Sequence, residues 1–113
     1  MAKHIRIKLT EIEYKLFGCL AVIEDVTRKD TVQRAFDEFL ERREMMARNG
    51  QAVVYRALPL EGSWVTAAIP ETVLEDMQRW AAHDNVRVGA VYSYAVTEFL
   101  REQKEDLNME ALT

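Results

Sequence analysis

Near the start of the chain, hydrophobic and polar residues alternate with a period of two, which is typical of a β-strand with one buried face. The apolar residues of this segment are Ile5, Ile7 and Leu9. The residues between them, on the opposite face, are His4, Arg6 and Lys8. Residues 64–69 alternate in the same way, with apolar residues at Val65, Ala67 and Ile69. The pattern therefore predicts two strands, each with one face toward a core and one face outward.

After the first strand, the apolar spacing changes to the three-and-four pattern of amphipathic helices. Thr10, with Glu13 three residues later, predicts the start of a first helix that fades at residues 24–25. Thr27, also followed by an acid at the third position, predicts a second helix that ends at Asn49-Gly50. The apolar positions of these two helices are Leu16, Phe17, Leu20, Val32, Ala35, Phe36, Phe39 and Leu40.

The second half of the chain repeats this order of elements. Pro70 and Glu71 predict a helix start, because proline suits the first helical turn, and this helix fades at residues 84–85. A last helix is predicted from about Arg87 to residues 101–104. Residues 105–113 form a tail that is expected to fray after Asp106, with docking of Leu107, Met109 and Leu112 as the alternative. The apolar positions of these two helices are Val73, Met77, Trp80, Tyr92, Ala95, Val96, Phe99 and Leu100.

A single constant offset aligns the two halves without a gap. It superimposes Leu9 on Ile69 near one end and residues 38–40 on 98–100, both Glu-Phe-Leu, near the other. Two unrelated helical hairpins of similar composition are the alternative, but one register from the strand to the last helix favours a repeat. The predicted boundaries are copy one at 3–46, a packed linker at 47–62 and copy two at 63–104.

One strand-helix-helix copy cannot pair its strand or bury its apolar helix faces alone. Two copies pair their strands into a ribbon, and four helices then cover its apolar face. The predicted fold is therefore one compact domain over residues 1–113, mainly α with a two-stranded antiparallel β-ribbon, in the order β-α-α-linker-β-α-α. The two copies form a pseudo-dimer within one chain.

The composition limits the chemistry that is available. One cysteine and two histidines argue against a disulfide framework, a cysteine-based zinc site and histidine-based catalysis. We therefore expect no enzymatic activity, no cofactor and no metal, and we expect Cys19 to be a packed, inert thiol. The apolar runs are shorter than the roughly 20 residues that span a bilayer, and the first residues lack a secretory apolar region. A cytoplasmic protein without a membrane partner is expected.

The net charge of −4 argues against non-specific coating of nucleic acid, but the charge is uneven. Residues 1–50 hold ten basic and nine acidic residues, whereas residues 51–113 hold five and ten. The cations among the first ten residues have no acidic neighbour there: Lys3, Arg6 and Lys8. A local basic patch of this kind can matter when the total charge does not.

The two copies resemble a known family. The segments HIRIKLT-EIEYKLFGCLAVIEDV-TRKDTVQRAFDEFL and WVTAAIP-ETVLEDMQRWAAHDN-VRVGAVYSYAVTEFL are each similar to the ribbon-helix-helix fold of the Arc and MetJ repressors. The resemblance covers nearly all of residues 3–46 and 63–104. The usual family form is a homodimer, and the tandem form resembles bacterial accessory proteins of conjugation and DNA transfer.

The resemblance implies that the ribbon enters the major groove of double-stranded DNA, where its outward side chains contact base edges. The residues that it implies as base contacts are His4, Arg6, Lys8, Trp64, Thr66 and Ala68. An ordinary solvated strand face is the alternative for the first three. Because the second strand carries no charge on this face, the resemblance leaves symmetric recognition of a palindrome in doubt.

The family also binds DNA phosphates at the start of the second helix, where N–H groups and the helix dipole attract an anion. The residues implied as phosphate contacts are Thr27, Arg28, Lys29, Thr31, Arg87 and Gly89. Simple N-capping is the alternative role for Thr27, and the two roles are compatible.

Two function classes follow from these patterns and from the resemblance. The first is a sequence-specific DNA-binding protein, either a transcriptional regulator or an accessory protein of plasmid DNA transfer, which self-associates on adjacent half-sites or binds a protein partner. The second is a protein-interaction module on the same scaffold, within a larger nucleoprotein or antitoxin-like complex. Its candidate surface comprises outward apolar residues beyond the needs of the core, namely Ile12, Val22, Ile23 and Trp64.

Overall fold

The computed structural model describes the backbone of residues 1–112 and the side chains of residues 1–105. The elements in chain order are β1 (Ala2–Leu9), α1 (Glu11–Ile23), α2 (Arg28–Arg48), β2 (Ser63–Pro70), α3 (Glu71–His83) and α4 (Val88–Leu112). β1 and β2 pair as a two-stranded antiparallel sheet. The prediction of a mainly helical fold with an antiparallel ribbon in the order β-α-α-β-α-α is thus confirmed.

The first two helices begin where their capping residues predict. Thr10 Oγ1 accepts a hydrogen bond from the Glu13 N–H at 3.2 Å, and Glu13 Oε1 accepts one from the Thr10 N–H at 2.9 Å. Both halves of the capping box are therefore present. At α2, Thr27 Oγ1 accepts from the Asp30 N–H at 3.1 Å. These bonds satisfy N–H groups that have no partner within the helix.

The offset between the two halves of the sequence recurs in the backbone. α1 and α3 begin at Glu11 and Glu71 and end at Ile23 and His83. Directly after their C-caps, Asp25 and Asn85 both adopt the left-handed conformation, with φ of 54° and 56°. Aspartate and asparagine tolerate this conformation better than other non-glycine residues, so the same sharp turn follows both helices.

The core lies between the inner face of the ribbon and the four helices. Five of the inward ribbon residues are buried, namely Ile7, Leu9, Val65, Ala67 and Ile69. α4 packs against β1, whereas α2 packs against β2, and the two helices pack against each other. The Phe36 and Tyr92 rings stack at this helix contact, with centroids 5.2 Å apart. Each half therefore buries the strand of the other half, and neither completes a core alone.

Residues 49–62, which we call the strap, run across the helices between Arg48 and β2. The Tyr55 ring contacts the Tyr94 ring edge-on, with centroids 5.1 Å apart. The strap ends at Gly62, where φ is 134° and a Cβ atom would lie only 2.1 Å from the Leu9 carbonyl oxygen. Only glycine fits this passage from the strap into β2.

Several details differ from the sequence-based expectations. α4 continues to Leu112, because residues 105–112 contain neither glycine nor proline. Cys19 is exposed rather than packed, since it lies on the outer face of α1. In α3, Leu74 and Ala81 join Met77 as the buried residues. Among the described residues, no helix is long and apolar enough to cross a membrane.

Candidate nucleic-acid interface

All six residues predicted to contact bases lie on the outward face of the ribbon. The register pairs Lys8 with Trp64, Arg6 with Thr66 and His4 with Ala68. His4, Arg6, Trp64 and Thr66 are exposed, and Lys8 and Ala68 are half-buried. Because side chains on one strand alternate between faces, these three cross-strand pairs form one continuous surface. We call this surface the ribbon face.

The two cations of the ribbon face cluster around Trp64. The Arg6 guanidinium carbon lies 4.3 Å from the Trp64 ring centroid, and Lys8 Nζ lies 5.1 Å from it. Both distances are within the range of a cation–π attraction. Lys8 Nζ also donates to the Gly62 carbonyl oxygen at 3.4 Å. Within the part of the chain whose side chains are described, neither Arg6 nor Lys8 forms an ion pair with a carboxylate.

The start of α2 presents two cations beside its capped first turn. Arg28 and Lys29 are exposed, and the Arg28 guanidinium carbon lies 5.7 Å from the Tyr14 ring centroid. Thr31 is buried, and its hydroxyl donates to the Thr27 carbonyl at 3.2 Å, so it does not face the surface. Asp30 is an exposed acid in the same turn, and its charge already complements the helix dipole.

The start of α4 differs from that of α2. No acidic residue lies in its first turn, and Arg87 directly before it is exposed. A Cβ atom at Gly89 would lie 3.7 Å from Leu58 Cδ1, so the strap lies over this glycine. The positive end of the helix dipole thus lies beside Arg87, but the strap partly covers Gly89.

A buried serine, which sequence reasoning missed, holds α4 against the ribbon. Ser93 Oγ donates to the Lys8 carbonyl oxygen at 2.9 Å. Arg56 of the strap lies beside it, with Nη2 3.3 Å from Ser93 Oγ and 2.9 Å from Thr97 Oγ1. These contacts join the strap and α4 to the end of β1 that carries Lys8. No local sequence pattern marks Ser93, because its partner is 85 residues away.

Arg56 also binds the capping residue of α1. Its two terminal nitrogens donate to the Glu13 carboxylate at 2.7 and 2.9 Å. Burial raises the pKa of Glu13, but hydrogen bonds from Arg56 and Thr10 outweigh it, so the pKa lies below its usual value. The strap therefore fixes the first turn of α1, directly after β1.

A second buried network surrounds Asp84, at the end of α3. Arg43 is 3% exposed, and its guanidinium donates to the two Asp84 carboxylate oxygens at 2.5 and 3.0 Å. Tyr55 OH donates to the same carboxylate at 2.5 Å. The hydrogen bond from Arg43 is the main cause that holds the pKa of Asp84 well below its usual range. This network joins α2, the strap and the end of α3.

Asp84 also contacts the ring of His83, with 3.1 Å between Oδ1 and Nδ1. Because Arg43 and Tyr55 hold the carboxylate, this contact belongs to a structural network that ties helices together. In the sequence, Arg43 lies within a run of four charged residues, Glu41 to Glu44, a setting that does not suggest burial. A signal was present, however, since residue 43 follows Phe39 by four positions and so lies on the buried face of α2.

Apart from Asp30 in the first turn, the acidic residues of α2 lie away from its basic start. Glu38, Glu41 and Glu44 follow Arg28 by ten residues or more, which is about 15 Å along a helix. These three acids contribute to the negative net charge of the chain, but they lie well away from the first turn of α2.

The outer face of α1 carries large exposed apolar side chains. Ile12, Val22 and Ile23 are 79%, 80% and 64% exposed, and we call them the α1 patch. The equivalent positions of α3 in the second copy hold Thr72, Ala82 and His83. The apolar character is therefore specific to the first copy.

Among the residues whose side chains are described, no group of three His, Cys, Asp or Glu residues is arranged to hold a metal ion. Comparison with known proteins gives no match to a family model, to a curated protein or to a solved structure.

Proposed function

We propose that this chain is a tandem ribbon-helix-helix protein that binds double-stranded DNA sequence-specifically, in a bacterial or mobile-element cytoplasm. Its role would be that of a transcriptional regulator or an accessory protein of DNA transfer. The observation that carries the proposal is the ribbon face, where six predicted base-contacting residues share one surface and no described carboxylate pairs with Arg6 or Lys8.

The chemistry of the ribbon face suits the major groove, which is wide enough to admit a two-stranded ribbon. Arg6 and Lys8 donate to the O6 and N7 acceptors of guanine. Thr66 donates to or accepts from a base edge, and its methyl group and that of Ala68 contact the thymine methyl. His4 and Trp64 complete the surface at opposite ends.

Phosphate contacts at the helix starts would orient the ribbon in the groove. Arg28 and Lys29 lie beside the first turn of α2, and Arg87 lies beside that of α4. N–H groups in a first turn have no partner within the helix and attract an anion together with the dipole. Thr27 Oγ1 accepts the capping bond of α2, and donation of its hydroxyl hydrogen to a phosphate is compatible with that role.

The proposal is tested by the binding of a fluorescent duplex, selected from a random library, at moderate salt, as measured by anisotropy. The test variant is Arg6→Ala with Lys8→Ala, which removes two outward cations and no core side chain. We expect specific binding to be lost while the melting temperature stays close to that of the wild type.

The matched control is Lys15→Ala with Lys104→Ala, which removes the same charge from exposed positions on α1 and α4. It should keep most of the affinity. If the two double variants bind equally well, the ribbon face does not contact DNA.

A protein-interaction module is the second candidate function, and the α1 patch is the observation that favours it. This candidate predicts no duplex binding at moderate salt, together with self-association or binding of a protein partner through α1. Sedimentation velocity of the wild type and of Val22→Lys measures self-association, with Ala82→Lys on α3 as the matched control. A chain that stays monomeric and binds duplex DNA contradicts this candidate.

A further inference from the structure

The two ends of the ribbon face differ in chemistry although the backbone around them is repeated. Arg6 pairs with Thr66, which is its equivalent in the second copy, so a local twofold axis passes through this pair. The axis exchanges the Lys8–Trp64 pair with the Ala68–His4 pair. One end thus carries a cation and an indole, and the other carries an imidazole and a methyl group.

Arg6, the cation at the centre of the ribbon face, lies over the Trp64 ring and therefore toward the Lys8–Trp64 end. Arg6 lies diagonally across from Trp64, and its guanidinium carbon is 4.3 Å from the indole centroid. Lys8, directly opposite Trp64, lies over the same ring. A guanidinium that stacks on an aromatic face keeps its N–H edge available, and its side chain has less freedom to lose on binding. No indole stands at the other end, where the equivalent position holds His4.

The starts of α2 and α4 also differ between the two copies. The first turn of α2 carries Arg28 and Lys29, whereas the start of α4 has Arg87 alone among basic residues. Leu58 of the strap also lies over Gly89 of α4. The cations available for phosphates are therefore distributed unequally between the two copies.

We propose that Trp64 is a positioning residue that holds Arg6 at the Lys8–Trp64 end, so that one chain binds a non-palindromic DNA site in a single orientation. This inference rests on the proposed DNA-binding function. Arg6 and Lys8 contact guanine in one half of the site. Thr66 and Ala68 contact thymine methyl groups in the other half.

The test is selection from duplexes with a random region of about ten base pairs, one helical turn, which limits each duplex to one ribbon. The recovered motif should lack twofold symmetry, with guanine preferred toward one end and thymine toward the other. Replacement of the preferred guanine should cost about five- to 150-fold in affinity, which corresponds to a good bidentate contact.

Two variants isolate the role of Trp64 in the same assay. Trp64→Ala should weaken the guanine preference about two- to fivefold, as expected for an exposed cation–π contact, and leave the thymine preference unchanged. Trp64→Phe retains an aromatic face and should restore most of the guanine preference. Thermal melting of both variants separates this effect from loss of the fold.

Three other results of the selection and of the Trp64 variants would each overturn a different part of the proposal. A palindromic motif overturns the inference but leaves the proposed DNA binding intact. An asymmetric motif with an unchanged guanine preference in Trp64→Ala overturns the role of Trp64. If no duplex is enriched at all, the proposed function fails and this inference fails with it.

Discussion

From the buried ion pair between Arg43 and Asp84 we predict how much unfolding free energy is lost when Asp84 is replaced. Asp84→Asn keeps the shape of the side chain but leaves the Arg43 guanidinium, which is 3% exposed, without its countercharge. Removal of one partner from a buried pair costs about 3–5 kcal/mol, because the other charge remains desolvated. Asparagine keeps one acceptor oxygen, so we expect a loss near the lower end, about 3 kcal/mol.

The internal repeat supplies a matched control at the equivalent position. Glu24 caps α1 as Asp84 caps α3, and it pairs with Arg34 at 3.4 Å. The Arg34 side chain is 50% exposed, so this pair is largely solvated. Glu24→Gln should therefore cost only about 0–1 kcal/mol. The two variants change the same cap in the two halves and differ mainly in burial.

Urea unfolding at pH 7, followed by far-ultraviolet circular dichroism, measures both free energies of unfolding. A loss of about 3 kcal/mol should also lower the melting temperature by about 12 °C in a domain of this size. If Asp84→Asn costs no more than Glu24→Gln, the network does not join the halves as described.

Three further predictions concern pH, backbone geometry and salt. Because the pKa of Asp84 lies well below its ordinary value of about 3.9, its stabilisation is present above that value and is lost as pH falls toward the folded-state pKa. The difference in unfolding free energy between the wild type and Asp84→Asn should narrow from pH 5 to pH 2, and a constant difference contradicts this. Gly62→Ala should lower the free energy of unfolding by about 2 kcal/mol or more in urea, because its Cβ would meet the Leu9 carbonyl. Gly18→Ala, with open space around it, is the control and should be neutral or stabilising. Lys29→Ala should reduce the slope of log affinity against log salt by about 1, and an unchanged slope removes this lysine from the phosphate contacts.

Much of the fold was predictable because its signals are local. Period-two alternation marks both strands, and Thr10 and Thr27 mark two helix starts through bonds that span three residues. The constant offset between the copies then indicates which strands pair. The six outward positions of the ribbon follow from alternation alone, since a strand with one buried face must present the other.

The supporting contacts were not predictable, because their partners are distant in sequence. Arg43 and Asp84 are 41 residues apart, and Ser93 and Lys8 are 85 residues apart. Residue type was also misleading at two positions. Arg43 is charged but buried, and Cys19 is of a usually buried type but exposed. In both cases the position on the helix, rather than the residue type, determines burial.

The ribbon face is the surface that we propose meets DNA. Backbone amide chemical shifts, recorded by NMR as a selected duplex is added, test this contact residue by residue. We expect the largest changes along β1 and β2 and at the first turns of α2 and α4, with the α1 patch unaffected. Changes centred on Ile12, Val22 and Ile23, or no change along either strand, would show that the ribbon face does not bind the duplex.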